Sequence, residues 1–447
     1  MHKCVFERVC KIAPKRITSA AHIKDRDIMD HWLNKVCGID VHKKFLVATM
    51  LGRDGTSITE RFSVSPHELF RFKDWVIENG CQRVAMESTG RLWIPIHVVL
   101  EGSTEVILAN PYKIKHTPGK KTDVKDSEWI AQLCLNDMID PSRIFPKDDR
   151  ELRDLTRARE SYVRDLSKLK NRVHQILDSG FIPISSVISD LFGKTGMYIL
   201  HCLVMGKTTD EIIEHLPATR LLKKSDQIRE ALLCKLTEAQ LLLLKGILET
   251  MASIEKRITD IEKEIVSRIR HRRPDLKIIM SVPGIGFIAA VTILAEIGNF
   301  MDFKKPEQLA AWAGLVPSVY QSADKLVTGN ITKHGSRHLR WILVQVAQSI
   351  AHLNNSILKT FFLRIRGRKG YNVAIVAVAR KLICILHHLL VNREPYIEDG
   401  VSPERKISFQ GRITTLDDFL EQMDTIVNLN RCKFSIGWTD MGESYVD

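Results

Sequence analysis

The chain has 447 residues, of which 44% are hydrophobic, and it carries a formal charge of +13 with a pI near 9.3. This length is too great for a single hydrophobic core, and the hydrophobic content excludes a mostly disordered chain, so we expect two or three folded domains. The positive charge indicates a polyanionic partner, with nucleic acid as the first candidate and an anionic membrane surface as the second.

The sequence contains no uninterrupted apolar run of eighteen residues and no signal-peptide core at its start. We therefore expect a cytoplasmic, nucleoid-associated protein of a prokaryote with no membrane partner. The nine cysteines are scattered without a CxxC pair, which indicates reduced thiols without a zinc site or disulfides. Residues 1–35 are basic and polar without a clear pattern and are predicted to form a loosely ordered extension.

Residues 36–147 have the pattern of an α/β domain. Apolar runs bounded by turn residues predict strands, and Ser65 followed by proline with a closing glycine predicts a helix. The predicted order is a three-stranded antiparallel meander, the helix from Ser65, a strand ending at Glu87, a helix from about Arg91, a strand over 105–109 and a helix that begins near Asp123. This order is that of a ribonuclease H fold.

Four acidic residues lie at the ends of these elements. Asp40 and Glu87 end the first and fourth strands, which are neighbours in this topology, so their side chains should meet. Asp123 and Asp126 are three residues apart and share one helical face. Four converging carboxylates repel one another, and Mg²⁺, a hard cation that takes oxygen ligands, would neutralise them. We therefore predict a site for two Mg²⁺ ions, which suits attack on a phosphodiester.

Each of these acids also has a purely structural interpretation. Asp40 could be a turn residue at a strand end, and Glu87 a surface acid. Asp123 could cap the helix, and Asp126 could complement the helix dipole. Their occurrence together, in this topological order, favours the metal site.

Residues 148–275 are predicted to form a helical coiled-coil arm. One apolar seam runs from Leu152 to Ile176 and a second from Leu244 to Ile265, separated by a segment of short helices. The two seams predict an antiparallel hairpin or an arm that pairs with another subunit, and an internal helical bundle is the alternative.

Residues 276–393 are predicted to form a third, helical unit. It opens with SVPGIGFIAAVTILAEIG, in which Gly284 and Gly286 follow a proline and precede an alanine-rich helix. This pattern is typical of a helix–hairpin–helix turn, whose backbone N–H groups contact a DNA phosphate, although many plain turns contain the same residues. Pro317 to Asn330 is predicted to be a polar loop.

The stretch from Lys325 to Arg393 contains twelve Lys and Arg residues and neither Asp nor Glu. Such a run is usually a solvated face, but the complete lack of counter-charge favours a surface held against phosphates. The predicted nucleic-acid-binding residues are Gly284, Gly286, Lys333, Arg337, Arg340, Arg364, Arg366, Arg368 and Lys369. Residues 394–447 are more acidic and are predicted to be a tail.

Several segments together resemble a known family: GIDVHKK, AMESTG, KTDVKDSEWIAQL, VPGIG, AAWAGLVPS, QSADK and GNITKHGSRHLRWIL. They are similar, in the same order over about residues 36–390, to the DEDD-motif transposases of the one-ten and eleven-eleven group of insertion sequences. Members of that family are known as bridge-RNA-guided recombinases. They have a RuvC-like domain, a helical arm and a carboxy-terminal transposase domain with a nucleophilic serine.

The resemblance implies that Asp40, Glu87, Asp123 and Asp126 bind magnesium. It also implies that Ser322, in QSADK, attacks the DNA backbone and becomes covalently joined to it. Family members commonly have glycine after this serine, where this chain has Ala323, and Ser318 is the competing nucleophile. From the residues alone Ser322 is an ordinary polar loop residue, since a serine needs a base or a metal for activation and none is obvious nearby.

The sequence therefore predicts a DNA transposase or recombinase that exchanges strands through a serine-linked intermediate, guided by a structured RNA. DNA duplexes would be its partners, and it would act as a homodimer or homotetramer. A metal-dependent nuclease of the Holliday-junction-resolving kind, which cuts with water, is one alternative. A non-catalytic nucleic-acid-binding protein on the same scaffold is another.

Overall fold

The computed structural model of the protein describes residues 33–87, 90–110, 122–217, 222–322, 325–354, 356–398, 406–409, 412–415 and 418–419. The predicted extension over residues 1–35 and the tail over 394–447 therefore lie largely outside the described residues. The chain divides into an N-terminal unit, Met1–Ile144, and a C-terminal unit, Phe145–Asp447.

The N-terminal unit is built on one six-stranded sheet in the order β3-β2-β1-β4-β5-β6. Its strands are β1 (Lys35–Val41), β2 (Phe45–Gly52), β3 (Ser57–Ser63), β4 (Arg83–Glu87), β5 (Glu105–Ala109) and β6 (Pro141–Ser142). The first three strands form an antiparallel meander, and β4 pairs in parallel with both β1 and β5. The predicted topology is confirmed, and β6 is a short addition that the sequence pattern did not indicate.

Among the described residues of this unit, three helices cover the sheet: α1 (Pro66–Glu78), α2 (Trp93–Leu100) and α3 (Asp123–Leu135). Alternate residues of β1 belong to different cores, because Cys37 and Ile39 pack with α1 and α2 whereas Val36 packs with α3. Gly38 lies on the α3 side. A Cβ atom there would come 2.3 Å from both the Ser127 carbonyl oxygen and the Ala131 nitrogen, so only glycine lets α3 pack this close to β1.

The C-terminal unit begins with two long helices, α4 (Lys147–Ser179) and α9 (Glu238–Ile269). They pack antiparallel. Arg268, near the end of α9, pairs with Glu151 near the start of α4, and at the opposite end Gln240 donates to Ser179. Between them, Arg159 Nε lies 2.7 Å from an oxygen of the buried Glu262. The predicted antiparallel hairpin is therefore present within one chain. Its coiled-coil character stays a prediction.

Short helices occupy the segment between α4 and α9, as predicted: α5 (Ile184–Val187), α6 (Lys194–Val204), α7 (Thr209–Glu214) and α8 (Ser225–Ala231). Leu177 of α4, Ile199 of α6 and Leu248 of α9 are buried in one shared cluster. The segment is therefore a small core at one end of the helix pair.

The largest core of the C-terminal unit is helical. Its helices are α10 (Arg273–Met280), α11 (Phe287–Ile297), α12 (Pro306–Trp312), α13 (Arg337–Ala351), α14 (Ile357–Lys369) and α15 (Tyr371–Asn392). Within the described residues, α15 alone is long and apolar enough to cross a membrane by length and composition. Its residues Val378, Leu382 and Leu386 are fully buried in this core, which is the pattern of a central helix of a folded unit.

A fully buried carboxylate joins three parts of this core. Glu296 of α11 accepts hydrogen bonds from Arg157 of α4 at 2.7 and 2.9 Å, and Arg153 approaches it at 3.4 Å. Ser336, the N-cap residue of α13, donates its hydroxyl to the same carboxylate at 2.7 Å. Burial alone would raise the pKa of Glu296, but the hydrogen bond from Arg157 and the two guanidinium charges outweigh it and lower that pKa.

The prediction of a loop from Pro317 to Asn330 is wrong. Two strands, β7 (Pro317–Ser322) and β8 (Lys325–Ile331), pair antiparallel there, with Ser322 opposite Lys325. The Ser, Thr and Gly content hid the strands, because apolar and polar residues do not alternate along them as they do in a typical half-buried strand. In the segment predicted as a tail, β9 (Lys406–Phe409) and β10 (Arg412–Thr415) form another short hairpin.

Candidate active site

Asp40 and Glu87 lie at the ends of neighbouring parallel strands. Ile39 of β1 pairs with Met86 of β4, so Asp40 and Glu87 are the next residues along the two strands. Side chains alternate along a strand, which places both acids on the face covered by α3, with Gly38 one step behind. The prediction that these two strand ends are adjacent is confirmed.

The first turn of α3 brings two more acids to this face. Thr122 is the N-cap residue, and its hydroxyl accepts a hydrogen bond from the Lys125 N–H at 3.3 Å. Asp123 is therefore the first helical residue and not the cap. Asp123 and Asp126 each contribute negative potential at Asp40, so α3 begins beside the end of β1. The close packing of α3 on Gly38 fixes this approach.

His42 belongs to the same cluster, and the sequence analysis missed it. Its Nε2 lies 3.0 Å from Asp40 Oδ2 and 3.5 Å from Asp123 Oδ1. One potential ligand atom from each of these three residues lies within 4.8 Å of the others. The sequence GIDVHKK contains a signal for this position of His42, because His42 follows Asp40 by two residues, and residues two apart at a strand end point to the same side.

The electrostatics of the cluster favour a cation. Asp40 is 15% exposed, and its burial raises its pKa; His42 partly offsets this, and the charges of Asp126 and Asp123 raise it further. An ionised Asp40 is therefore costly in the protein alone, and a bound cation would relieve that cost. Asp123 is 49% exposed, which leaves a route by which a cation could enter.

These donors suit a divalent ion. Carboxylate oxygens are the ligands that Mg²⁺ takes, and imidazole adds a nitrogen donor that transition metals accept. The structure brings together Asp40, Asp123 and Asp126, and it sets Glu87 on the adjoining strand end.

The two candidate nucleophiles lie on the same strand of the C-terminal unit. Ser322 is the last residue of β7, and Ala323, which follows it, lies outside the described residues. Ser318 is near the start of β7, where its hydroxyl donates to the Asn330 carbonyl at 3.1 Å and bridges the two strands. The hydroxyl of Ser318 therefore has a structural role in the hairpin.

The residues predicted to bind nucleic acid differ in their surroundings. Gly284 (φ +88°) packs against α13, because a Cβ atom there would come 2.8 Å from the Ile350 side chain. Gly286 is exposed as the N-cap of α11, with open space around it. The guanidinium of Arg340 is bound within its own unit: its Nη1 donates to the carbonyls of Ala313, His334 and Gly335 at 3.2, 2.8 and 3.1 Å.

The remaining predicted cations are exposed: Lys333, Arg337, Arg364, Arg366, Arg368 and Lys369. The last four lie on α14, and Arg366, Arg368 and Lys369 are in its last turn. Cations there also interact favourably with the helix dipole. The helix–hairpin–helix assignment and the nucleic-acid contacts stay predictions.

Two family models match the chain. A transposase model of the DEDD, IS110 type matches residues 37–182, and a model of the IS116/IS110/IS902 transposase family matches residues 276–363. The first match contains Asp40, Glu87, Asp123 and Asp126, and the second contains Ser322. Together the matches cover more than half of the chain.

Known relatives agree with these models. The chain is 24% identical over 326 residues to the transposase for insertion sequence element IS1111A of Coxiella burnetii. This aligned region covers 71% of this chain and 79% of the relative. It is 27% identical over 319 residues to a probable family 20 transposase of Pseudomonas aeruginosa. This aligned region covers 70% of this chain and 85% of the relative. The chain therefore belongs to the IS110 family of DEDD transposases, which are enzymes that cleave and recombine DNA.

Proposed function

We propose that the chain moves its own insertion sequence by cutting and rejoining DNA with two sets of residues. Asp40, Glu87, Asp123 and Asp126 hold Mg²⁺, and Ser322 is the nucleophile. Its oxygen bonds to a backbone phosphorus while one P–O bond of that phosphodiester breaks, and a deoxyribose hydroxyl leaves with a proton. Rejoining is the reverse step, in which a deoxyribose hydroxyl displaces the serine oxygen from the phosphorus. The single observation that carries the metal half of this proposal is the convergence of Asp40 of β1 and the first turn of α3 on one face of the sheet.

The carboxylates act by presenting oxygen donors that are fixed before any ion binds. β1 and β4 fix Asp40 and Glu87, and the N-cap Thr122 together with Gly38 fixes the start of α3. The chemistry that Mg²⁺ would supply at these carboxylates is polarisation of a phosphodiester and stabilisation of the negative charge that develops during its cleavage. Two ions would balance the four carboxylates, whose mutual repulsion is the reason that a metal-free site is unfavourable.

Ser322 is favoured over Ser318 by its position. Ser318 has its hydroxyl engaged with a backbone carbonyl across the hairpin, whereas Ser322 ends its strand beside the two-residue connection between β7 and β8. A residue next to such a connection can approach a DNA strand more closely than one at the base of a hairpin. The family pattern in QSADK supports the same choice.

The partners of the enzyme are DNA duplexes and a structured guide RNA. Exposed arginines on α14 and the absence of acids from Lys325 to Arg393 support contact with phosphates. The guide RNA follows from the resemblance to bridge-RNA-guided recombinases. Residues 36–147 would form the metal-binding domain, 148–275 the arm and 276–393 the transposase domain, in a homodimer or homotetramer.

The test uses the gene with its native flanking DNA on a plasmid in a bacterial host that lacks the element. Excision is measured by amplification across the donor junction, and the protein–DNA adduct is measured on a denaturing gel without protease. We expect wild type to give both, and Asp40→Asn and Ser322→Ala to give neither. Ser318→Ala is the matched control and should retain both.

A nuclease that cuts with water predicts a different pattern. In that case Ser322→Ala would still cleave DNA, no adduct would form with any variant, and Asp40→Asn would be the inactive one. Deletion of the flanking non-coding DNA that encodes a structured transcript tests RNA guidance separately. Excision that survives this deletion, with the element's ends left intact, would remove the guide RNA from the proposal.

A further inference from the structure

We propose that His42 is a direct ligand of the divalent cation, beside Asp40 and Asp123, and that it shifts the preference of this site from Mg²⁺ toward Mn²⁺. This inference rests on the proposed metal site and adds a ligand and a cation preference to it. The four carboxylates by themselves offer only oxygen donors. His42 would add a nitrogen donor, and the cation preference of the site would then differ from that of the four carboxylates alone.

The position of the imidazole nitrogen is the first argument. Nε2 lies 3.0 Å from Asp40 Oδ2 on its own strand end and 3.5 Å from Asp123 Oδ1 on α3, so it stands between carboxylates of two different elements. Two ligands that each bind one ion at about 2.1 Å and at right angles are about 3.0 Å apart. In the structure the Nε2–Asp40 pair is a hydrogen bond of 3.0 Å, and the same separation would let both atoms bind one ion in place of the shared proton. The Nε2–Asp123 separation of 3.5 Å corresponds to a wider angle between two ligands of one ion.

The orientation of the ring is the second argument. His42 follows β1 directly, and its ring packs on Phe45 at the start of β2, with centroids 4.6 Å apart and an angle of 34° between the planes. Arg61 of β3 covers the same Phe45 ring at 3.7 Å from its centroid. This stack supports the imidazole from the sheet side, and the ring points its Nε2 at the carboxylates. His42 is 38% exposed, so a hydrated ion could reach it.

The chemistry of the donor decides which cation benefits. Mg²⁺ holds its water strongly and prefers oxygen ligands. Imidazole suits the later transition metals best, and Mn²⁺, the first metal of that series, takes carboxylates as Mg²⁺ does but also accepts an imidazole nitrogen. Loss of His42 should therefore weaken Mn²⁺ binding more than Mg²⁺ binding. Changes around a metal site commonly cost about 10- to 100-fold in affinity, and we expect a loss of that size for Mn²⁺.

The test is a titration of the full chain with Mn²⁺, followed by the electron paramagnetic resonance signal of the ion, with Mg²⁺ as the competitor. We expect His42→Ala to lower the Mn²⁺ affinity about 10-fold or more and to reduce the Mn²⁺ over Mg²⁺ preference by a similar factor. Spin-echo modulation from a directly bound nitrogen should be present in wild type and absent in His42→Ala. His67→Ala is the matched control, because His67 lies in the same unit with 90% of its side chain exposed, and it should behave as wild type.

The outcomes separate this inference from the proposed function. If Mn²⁺ binds wild type, is lost in Asp40→Asn, and yet shows no nitrogen modulation and no change in His42→Ala, the metal site stands and the role of His42 is refuted. If Mn²⁺ does not bind wild type, or binds Asp40→Asn equally well, the proposed metal site itself fails. A melting temperature of His42→Ala close to wild type confirms that the variant is folded.

Discussion

Glu296 offers a test of how the C-terminal unit is held together. The variant Glu296→Gln removes a carboxylate that is fully buried and that Arg157, Arg153 and Ser336 contact. Removing one partner of a buried ion pair costs about 3–5 kcal/mol, because the other charge is left without compensation. Arg153 and Arg157 keep 18% and 31% of their side-chain exposure and can recover some water, so we expect a value near the lower end, about 3 kcal/mol.

Hydrogen exchange read by mass spectrometry is the appropriate assay, since a protein of two units need not unfold in a single step. A loss of about 3 kcal/mol should accelerate exchange in α11 on the order of 100-fold. Peptides of α1, in the other unit, serve as the internal control. The matched variant is Asp165→Asn, which breaks an exposed pair with Lys168 and should cost less than about 0.5 kcal/mol.

The same network predicts a dependence of stability on pH. The pKa of Glu296 is lowered in the folded protein, so its stabilising contribution is present above the ordinary carboxylate pKa and is lost as the pH falls through the lower folded value. The difference in melting temperature between wild type and Glu296→Gln should therefore be largest near neutral pH and should shrink below about pH 4. Two results would refute the argument. One is that α11 of Glu296→Gln is as well protected from hydrogen exchange as α11 of wild type. The other is that the difference in melting temperature between the two proteins is constant from pH 7 to pH 3.

Three further predictions concern the candidate site and the basic surface. Gly38→Ala should push α3 away from β1 and so weaken Mn²⁺ binding to the full chain. The control is Gly246→Ala, in open space on α9, which should keep Mn²⁺ binding and add up to about 1 kcal/mol of stability. Equal Mn²⁺ affinity in both variants would contradict this prediction. Without divalent cations, Asp40→Asn should melt at a higher temperature than wild type, because burial makes the ionised carboxylate costly. With Mg²⁺, the variant should lack the increase in melting temperature that we expect for wild type. An equal increase in both proteins would count against Asp40 as a ligand. Changing Arg364 and Arg368 together to alanine should weaken binding to DNA of any sequence. The plot of log affinity against log salt concentration should become less steep, by about 0.9 for each lost phosphate contact. An unchanged slope would place the phosphate contacts elsewhere.

Much of the N-terminal unit could be predicted because its signals are local. Apolar runs, an N-cap serine and strand-ending acids are each encoded within a few residues, and the meander followed by alternating helices leaves few possible topologies. The adjacency of Asp40 and Glu87 follows from that topology, and the shared face of Asp123 and Asp126 follows from helix geometry. Ser322 needed the family pattern, since a serine in a polar hairpin has no local signal for chemistry.

The features that the sequence did not indicate have a common origin. Apolar and polar residues do not alternate along β7 and β8, and so the hairpin resembled a loop in the sequence. Arg340 belongs to the basic run that predicts phosphate contact, which stays a prediction, and only the fold shows that its guanidinium also donates to three backbone carbonyls. The sequence GIDVHKK places His42 on the same side as Asp40, but the approach of His42 to Asp123, which is distant in sequence, is visible only in the fold.

The sequence by itself determined the order of the elements, the strand-end acids, the two long helices and the basic carboxy-terminal surface, because each depends on periodicity or composition over a short stretch. The tertiary structure alone decided how closely α3 approaches Gly38, which side chains lie together at the candidate cation site, and that Glu296 is buried between arginines from a helix far away in the sequence. These features depend on distances of a few ångströms between residues far apart in the chain, and no local pattern in the sequence encodes such distances.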